Sequence, residues 1–248
     1  MDDFMKTTSS VFNAYSRYYD LLYQDKDYVA ETDYIQTLLV RHGITHGNLL
    51  EFGSGTGKHG CLLAGMGYRV HGIERSADMV SRSMSCEGFT CEQGDICTVQ
   101  LHRSFDAVLS LFHVVSYQTR NDDVLAVFNR AAEHLTVGGL FVFDFWYSPA
   151  VYAQRPEVRV KRMTNENTSI TRIAEPVVWQ KENRVDVHYT IYAHDIVSGA
   201  IEVMEEIHPM RHFSLPEIDL LCQMTGFERI GAEEFLTGKP VGDPAIVN

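Results

Sequence analysis

Three acidic side chains stand at regular places around a glycine-rich turn, and their spacing suggests a binding site for a nucleoside. Residues 51–57 read Glu-Phe-Gly-Ser-Gly-Thr-Gly after an apolar run, and the glycines allow positive φ and close approach of the backbone to a ligand. Glu74 ends the next apolar run, where a carboxylate can accept both ribose hydroxyls. Asp95 follows the third run, where it can accept a hydrogen bond from an adenine amino group while Ile96 packs on the ring.

The spacing of the glycines separates this turn from two commoner nucleotide-binding loops. A P-loop places Ser or Thr after its lysine, whereas His59 follows Lys58 in this chain. The dinucleotide fingerprint reads Gly-x-Gly-x-x-Gly, whereas here a glycine occupies every second position and Glu51 precedes them. Together with Glu51, Glu74 and Asp95, the turn is therefore predicted to hold an adenosine with a free ribose and no phosphates.

The segments around these residues alternate between strand and helix patterns. Short apolar strands are predicted over residues 48–52, 68–74, 90–93, 105–111 and 140–145. Helices are predicted over residues 76–84, capped by Ser76, and over 122–135, closed by Gly138 and Gly139. Such alternation predicts an α/β fold, in which a Rossmann-like parallel sheet carries helices on both faces and binds ligands at the carboxyl ends of its strands.

The N-terminal residues 12–40 are predicted to be helical. A second helix within them begins near Asp27 and stops at Gly43. The first part carries an aromatic stripe at helical spacing, made of Tyr15, Tyr18, Tyr19, Leu22 and Tyr23. Core packing and the wall of a ligand pocket are both open as interpretations of the stripe, because tyrosine hydroxyls need polar partners.

Residues 155–212 differ in pattern, because β-branched and polar residues alternate there. Antiparallel strands that cover one side of the site are predicted over residues 158–160, 168–173, 177–179, 184–193 and 201–211. A helix from Ser214 to Gly226 follows, and then strands over 227–230 and 244–247. The predicted domains are a helical cap (1–46), a core (47–150), an antiparallel subdomain (151–212), and a C-terminal helix with the end of the sheet (213–248). A truncated chain and a sheet edge completed by a partner, as in a homodimer, are both open explanations of the short tail.

Composition and charge exclude several classes of function. The 248 residues are 45% hydrophobic, as in a globular protein, and the formal net charge of −12 argues against a nucleic-acid partner. The five cysteines form no C-x-x-C pair, so reduced thiols in the cytoplasm and no metal site are expected. No targeting segment and no apolar run long enough to span a membrane is apparent, so no membrane partner is expected.

Four motifs between residues 49 and 145 resemble those of the class I S-adenosylmethionine-dependent methyltransferases. They read Glu-Phe-Gly-Ser-Gly-Thr-Gly, Gly-Ile-Glu-Arg-Ser-Ala-Asp-Met, Gly-Asp-Ile and Phe-Asp-Ala-Val. The resemblance implies a Rossmann-like methyltransferase sheet and S-adenosylmethionine as cofactor, with the ribose on Glu74 and the adenine between Met79 and Ile96. The cofactor-binding residues expected on this basis are Tyr19, Tyr23, Glu51, Gly53, Ser54, Gly55, Gly57, Glu74, Arg75, Met79, Asp95, Ile96 and Leu111.

A narrower resemblance covers most of the chain. A Tyr-Asp-x-x-Tyr motif at residues 19–23 is followed by a methyltransferase core, an antiparallel insertion and a terminal helix. This order is similar to that of the aminosugar N-methyltransferases that act on nucleotide-linked deoxysugars. The Asp-Phe-Trp-Tyr run at 144–147 is similar to the Glu-Pro-Trp-Trp of those enzymes. One segment departs from the family. Residues 116–118 read Ser-Tyr-Gln where the family has Gly-His-Met, and the histidine lies earlier, at His113, which leaves amine specificity open.

Several residues at the strand ends are suited to methyl transfer, an in-line displacement that requires alignment and exclusion of water. His113 follows strand four and can act as a general base, although a structural role is equally open. Tyr117 can hold the acceptor or shield the sulfonium by a cation–π contact. The candidate substrate-binding residues are Tyr15, Asp144, Trp146, Tyr147, His208 and Arg211.

The leading hypothesis is therefore a methyltransferase that methylates an amine or hydroxyl of a small molecule, with a nucleotide-linked sugar as the favoured acceptor. One alternative is a methyltransferase that acts on another small metabolite. A second alternative is a domain that binds the cofactor without turnover and serves as a binding or scaffold protein.

Overall fold

The computed structural model describes residues 18–241, apart from the side chain of residue 20, and divides the chain into two compact units. Within this range the larger unit contains residues 27–154 and 212–241, and the smaller unit contains residues 18–26 and 155–211. Three sequence predictions, the helical start over residues 12–17, the role of Tyr15 and the strand over 244–247, fall outside the described residues.

Helices and strands alternate in the larger unit. A short helix α1 (Tyr19–Leu22) of the smaller unit precedes them. The elements of the larger unit are α2 (Tyr28–Arg41), β1 (Gly47–Phe52), α3 (Lys58–Gly65), β2 (Tyr68–Glu74), α4 (Ala77–Ser81), β3 (Phe89–Gln93), β4 (Phe105–Ser110), a 3₁₀ helix (Val114–Tyr117), α5 (Asn121–His134), β5 (Leu135–Phe143), β6 (Trp146–Tyr147), α6 (Ser148–Ala153) and α7 (Leu215–Thr225).

Strands β1 to β5 form a parallel sheet in the order β3-β2-β1-β4-β5. Alternate residues of the central strand β1 face opposite sides of the sheet. Leu49 packs with Ile35 and Leu63 from α2 and α3, whereas Leu50 packs with Val127 from α5. Helices therefore cover both faces, and the carboxyl ends of β1, β2 and β4 meet at one edge. The predicted fold class is confirmed.

The junction between α5 and β5 differs from the prediction. Gly138 and Gly139 do not close the helix, because α5 ends at His134 and β5 begins directly at Leu135. Pairing with β4 then shifts from Phe105 opposite Leu135 to Ala107 opposite Leu140. Residues 136–139 bulge out between these pairs, and Gly138 adopts the left-handed φ of +81° that the bulge requires.

The strand predicted over residues 227–230 is wrong. Helix α7 ends as predicted at Gly226, with a left-handed φ of +80°, but no strand follows within the described residues. The Phe227 ring instead lies 5.7 Å from that of Phe141, and Arg229 returns to Asp219 with its Nε 2.5 Å from Oδ1. Side-chain contacts rather than a backbone ladder hold this segment.

The smaller unit is an antiparallel sheet backed by α1, and the predicted insertion is antiparallel as expected. Its strands are β7 (Arg159–Thr164), β8 (Thr168–Trp179), β9 (Arg184–Asp195) and β10 (Ile201–Phe213), in the order β7-β8-β9-β10. The last residues of β10 belong to the larger unit and pair there with β6. Leu22 of α1 packs on the inner face of the sheet with Ile170 and Ile191.

One long strand, β8, replaces two strands that Pro176 separates in the sequence prediction. Proline removes a backbone donor and normally interrupts a ladder. Strand β7, however, pairs only with residues 169–174 of β8, so Pro176 lies beyond the end of β7 and β8 continues against β9. Pro209 of β10 pairs with Asp186 of β9 in the same way, whereas β6 reaches only His212 and Phe213.

The prediction that every cysteine is a reduced thiol is wrong for two of them. Cys61 of α3 and Cys86, between α4 and β3, form a disulfide with their Cα atoms 6.0 Å apart. The two lie 25 residues apart in sequence, so no short Cys-x-x-Cys motif indicates the disulfide. Cys91, Cys97 and Cys222 are free thiols.

Candidate active site

The glycine turn leaves β1 in a shape that only glycine adopts easily. Gly53, Gly55 and Gly57 have φ of +70°, +56° and +79°. A Cβ on Gly53 would meet the Val114 side chain at 2.5 Å, and one on Gly57 would meet Phe89 at 2.5 Å. The amides of Gly53 and the buried Ser54 donate to the Ile73 carbonyl at 2.8 and 3.2 Å, which ties the turn to the end of β2.

Glu74, at the carboxyl end of β2, is locked against this turn. Its Oε2 accepts a hydrogen bond from Gly55 N at 2.9 Å, and its Oε1 accepts one from Ser76 N at 2.8 Å. Burial raises the pKa of the Glu74 carboxyl, while these backbone donors act in the opposite direction. A carboxylate oxygen has two lone pairs, so each oxygen retains acceptor capacity for a ribose hydroxyl.

Apolar side chains and one further acid lie beside Glu74. Met79, held in α4 by the Ser76 cap, is buried, and its Sδ lies 4.0 Å from where a Cβ on Gly55 would be. Ile96 is buried, and Asp95 Oδ1 accepts from Cys97 N at 2.9 Å, which fixes the orientation of that carboxylate.

The remaining predicted cofactor residues of the larger unit differ in exposure. Leu111 and Glu51 are buried, whereas Arg75 is exposed and its carbonyl accepts from Gln93 Nε2 at 3.2 Å. Lys58 follows the turn directly, and its Nζ lies over the Tyr28 ring, 4.9 Å from the centroid. The site thus combines a glycine turn, a buried carboxylate and apolar walls, and these groups fit the adenosyl and methionyl parts of S-adenosylmethionine.

A histidine–aspartate pair stands at the ends of the neighbouring strands β4 and β5. His113 Nδ1 lies 2.9 Å from Asp144 Oδ2, and the His113 backbone amide donates to the same carboxylate at 3.0 Å. Burial of Asp144 favours its neutral form, but the contacts with His113 outweigh it and lower the pKa of the Asp144 carboxyl. Both Phe112 and His113 have left-handed φ, +65° and +63°, which is uncommon for bulky residues and typical of functional sites.

Aromatic residues surround the imidazole. The Trp146 ring meets the His113 ring edge-on, with centroids 6.2 Å apart, and Trp146 N donates to Ser116 Oγ at 3.4 Å. Tyr147 follows Trp146 in β6, and Tyr117 ends the 3₁₀ helix that begins directly after His113. The structure therefore brings His113, Asp144 and Trp146 together, and it assigns Asp144 first of all to His113.

The other predicted residues belong to the smaller unit. The rings of Tyr19 and Tyr23 lie 4.7 Å apart beside α1. His208 is buried, with its Nε2 3.2 Å from Glu206 Oε2, and Arg211 lies opposite Arg184 across the β9–β10 ladder.

Two further residues of the smaller unit, Arg172 and Tyr189, were not predicted from the sequence as site residues. The Arg172 guanidinium lies 5.0 Å from the centroid of the Tyr189 ring, and burial raises the pKa of Tyr189 to about 12. The Tyr189 ring also meets the His208 ring edge-on at 4.8 Å. Strand alternation and the hairpin register, which pairs Tyr189 with Glu206, were the signals that could have found this cluster.

Between residues 18 and 241, no group of three or more His, Cys, Asp or Glu side chains is placed to hold a metal ion. No helix in the same range is both long and apolar enough to cross a membrane.

Comparison with known proteins identifies the glycine turn and the strands around it. Residues 49–139 match the family described as "Methyltransferase domain". A dTDP-3-amino-3,4,6-trideoxy-alpha-D-glucopyranose N,N-dimethyltransferase of Streptomyces venezuelae is 28% identical over 227 residues, which are 90% of this chain and 92% of that protein. A dTDP-3-amino-3,6-dideoxy-alpha-D-glucopyranose N,N-dimethyltransferase of Streptomyces fradiae is also 28% identical, over 90% of this chain and 86% of its own length.

Solved structures show the same fold. The sugar N-methyltransferase KedS8 from Streptoalloteichus superposes with a TM-score of 0.79 at 22% identity, over 90% of this chain and 89% of that one. The amino pentose methyltransferase CalS10 from Micromonospora echinaspora, solved with S-adenosylmethionine bound, superposes with a TM-score of 0.75 at 22% identity, over 92% and 94%. Residues 49–139 therefore carry a methyltransferase domain, and the comparisons support an S-adenosylmethionine-dependent methyltransferase that resembles the class I enzymes.

Proposed function

We propose that this enzyme methylates the amino group of a nucleotide-linked deoxysugar and that His113 removes the proton from the acceptor nitrogen. The observation that carries the proposal is the contact between His113 Nδ1 and Asp144 Oδ2 at the ends of β4 and β5. A carboxylate that holds one ring nitrogen of histidine leaves the other as the proton acceptor. The substrate class is supported by the Streptomyces relatives, which are named for dTDP-linked aminosugars.

The chemistry asks for a base because an alkylamine is mostly protonated near neutral pH and cannot attack in that form. Bound S-adenosylmethionine supplies an electrophilic methyl group on its sulfonium. Nε2 of His113 takes the proton of the acceptor ammonium, and Asp144 stabilises the imidazolium at Nδ1. Trp146 restricts the imidazole through its edge-on ring contact and helps to exclude water.

The donor roles are part of the same proposal. Glu74 accepts the ribose hydroxyls, and Met79 and Ile96 enclose the adenine. Asp95 accepts from its amino group. Support comes from the geometry of the turn, because Glu74 is already fixed to Gly55 by a hydrogen bond of 2.9 Å. The other expected cofactor contacts, among them Glu51, Arg75 and Leu111, keep their predicted roles.

We propose that the antiparallel subdomain, predicted over residues 151–212, supplies acceptor-binding groups. His208 and Arg211 remain the candidates from the sequence, and Arg172 joins them. Its guanidinium donates to the Tyr23 hydroxyl at 3.4 Å and stacks on Tyr189, so it presents a held positive charge suited to a sugar-linked diphosphate.

The homodimer also remains a proposal, supported by the outer face of this sheet. Val203 and Ile207 of β10 are 53% and 49% exposed, and Tyr192, directly opposite Val203, is exposed as well. Val160 of β7 is exposed too. Contiguous exposed apolar patches mark interaction sites, and a second copy would bury these side chains symmetrically. Val203→Asp should turn a dimer into a monomer in sedimentation velocity, and a wild-type monomer would refute the proposal.

The test of function is a screen of nucleotide-linked sugars with mass detection of methyl gain, in which each aminosugar is paired with its hydroxyl counterpart. Methyl gain on the aminosugar alone is the expected result. Gain only on another metabolite would replace the sugar proposal, and binding of S-adenosylmethionine without any transfer would favour a scaffold. His113→Ala should lower the rate by about a hundredfold while leaving cofactor binding intact.

A further inference from the structure

A buried chain of acid, imidazole and acid lies behind the glycine turn. Glu31 stands in the first turn of α2, His59 is the second residue of α3, and Glu51 lies in β1 just before the turn. His59 Nε2 is 2.8 Å from Glu31 Oε2, and His59 Nδ1 is 3.9 Å from Glu51 Oε1. The His59 side chain is only 9% exposed and that of Glu51 only 2%. The mechanism proposed above does not use His59.

A protonated imidazole is unfavourable in the first turn of a helix unless nearby acceptors compensate for its charge. The N-terminus of a helix carries a positive partial charge, which favours carboxylates and disfavours a cationic side chain. Two carboxylates buried near one another repel, and an imidazole placed between them can offer a donor to either side. The Tyr28 ring packs against His59 with centroids 5.0 Å apart, and Lys58 lies over that ring. His59 is thus held by two residues of α2, Glu31 and Tyr28, and by Glu51 of β1.

Glu51, one of these three side chains, contacts the part of α3 that shapes the turn. Oε2 of Glu51 lies 2.9 Å from where a Cβ on Gly60 would be, so the carboxylate rests against the first turn of the helix. Gly57 is the N-cap of α3 and the last glycine of the turn. Any movement of His59 relative to Glu31 therefore moves the start of α3 and, with it, the turn.

We propose that His59 is a positioning residue of the cofactor site, which anchors the glycine turn to α2 through Glu31. The inference rests on the proposed cofactor role of the turn. Because His59 acts through backbone geometry rather than through charge on the sulfonium, it supports S-adenosylmethionine and its demethylated product, S-adenosylhomocysteine, equally. Acceptor binding does not depend on it.

The variants separate the two arms of the imidazole. His59→Asn places an amide near the Nδ1 position but is too short to reach Glu31, whereas His59→Gln places an amide nitrogen near the Nε2 position and keeps that bond. We expect His59→Asn to weaken binding of both cofactors about tenfold in calorimetry, and His59→Gln to restore most of the affinity. Glu31→Ala, which removes the acceptor, should weaken binding of both cofactors similarly, and the double variant with His59→Asn should be no worse than either single variant.

His71→Gln is the matched control, because His71 is a largely buried histidine of the same unit whose Nε2 also faces a carboxylate, Glu92, at 3.7 Å. It should bind both cofactors as the wild type does. Urea unfolding identifies any His59 variant that fails to fold, and in that case the affinity of Glu31→Ala tests the inference.

Three results would overturn the inference. These are a wild-type affinity for both His59→Asn and Glu31→Ala, additive losses in the double variant, or a loss confined to S-adenosylmethionine. If the wild-type enzyme bound neither cofactor, the proposed function would fail instead.

Discussion

The substitution Asp144→Asn tests the proposed base most sharply, because it changes one charge and almost no volume. In the wild-type enzyme the Asp144 carboxylate accepts a hydrogen bond from the His113 backbone amide at 3.0 Å. Its Oδ2 also lies 2.9 Å from His113 Nδ1. The asparagine oxygen can still accept from the amide. The side-chain nitrogen of the asparagine, however, can only donate to His113 Nδ1. This contact stabilises the His113 tautomer that carries its proton on Nε2. That tautomer cannot take a proton from the acceptor.

The expected loss of kcat follows from the loss of His113 as a proton acceptor. A positioned base contributes about 10²–10⁴-fold, so kcat for an aminosugar should fall by about a hundredfold or more at neutral pH. The loss should shrink as pH rises, because a growing share of the amine is then neutral without help. Cofactor affinity in calorimetry should stay within about twofold. Replacement of a charged by a neutral acceptor should also cost about 1–3 kcal/mol of unfolding free energy.

The assay is steady-state kinetics on an aminosugar substrate across pH, with His113→Ala as the companion variant. Both variants should show the same dependence of kcat on pH, because they remove the same proton acceptor. A wild-type kcat for Asp144→Asn at neutral pH would refute the pairing. A loss that is equally large at every pH would show that the pair positions the acceptor rather than removing its proton.

Three further predictions rest on other contacts. Glu74→Ala should weaken S-adenosylmethionine binding by about tenfold to a hundredfold in calorimetry, because it removes the ribose acceptor, whereas Glu92→Ala on the neighbouring strand should bind normally; equal affinities would contradict the ribose role. The pKa of Asp144 is lowered in the folded state, so its contribution to stability is complete above the ordinary value of about 3.9 and is lost as pH falls through the lowered pKa. Acid unfolding of Asp144→Asn should therefore depend less steeply on pH below about 4, and parallel curves would contradict this account. The Cys61–Cys86 disulfide closes a loop of 25 residues, so reductant should lower the unfolding free energy by about 3 kcal/mol in urea, and Cys61→Ser should show no response.

The turn, the strand and the helix cap of the candidate cofactor site could be predicted from sequence because they depend on local chemistry. The glycines of the turn, the strand ending at Glu74 and the Ser76 cap are all read from neighbouring residues, and the structure contains each of them. Their pairing in space follows from the rule that parallel strands meet at their carboxyl ends.

What escaped prediction depends on contacts between distant segments. Cys61 and Cys86 meet only because α3 packs beside the segment after α4, and no local pattern encodes that approach. Asp144 was expected to touch the acceptor, but the sequence separation of 31 residues hid its partner, His113. The strand through Pro176 could not be predicted either, because it depends on where the neighbouring strand ends.

A single-turnover reaction with an isotope-labelled methyl donor tests the central claim most directly. The enzyme is mixed with labelled S-adenosylmethionine and a dTDP-linked aminosugar, and NMR identifies the atom that receives the label. The account predicts that the label appears on the amino nitrogen, and that this signal forms at least a hundredfold more slowly with His113→Ala. Label on a sugar hydroxyl, or equal rates for the two enzymes, would contradict it.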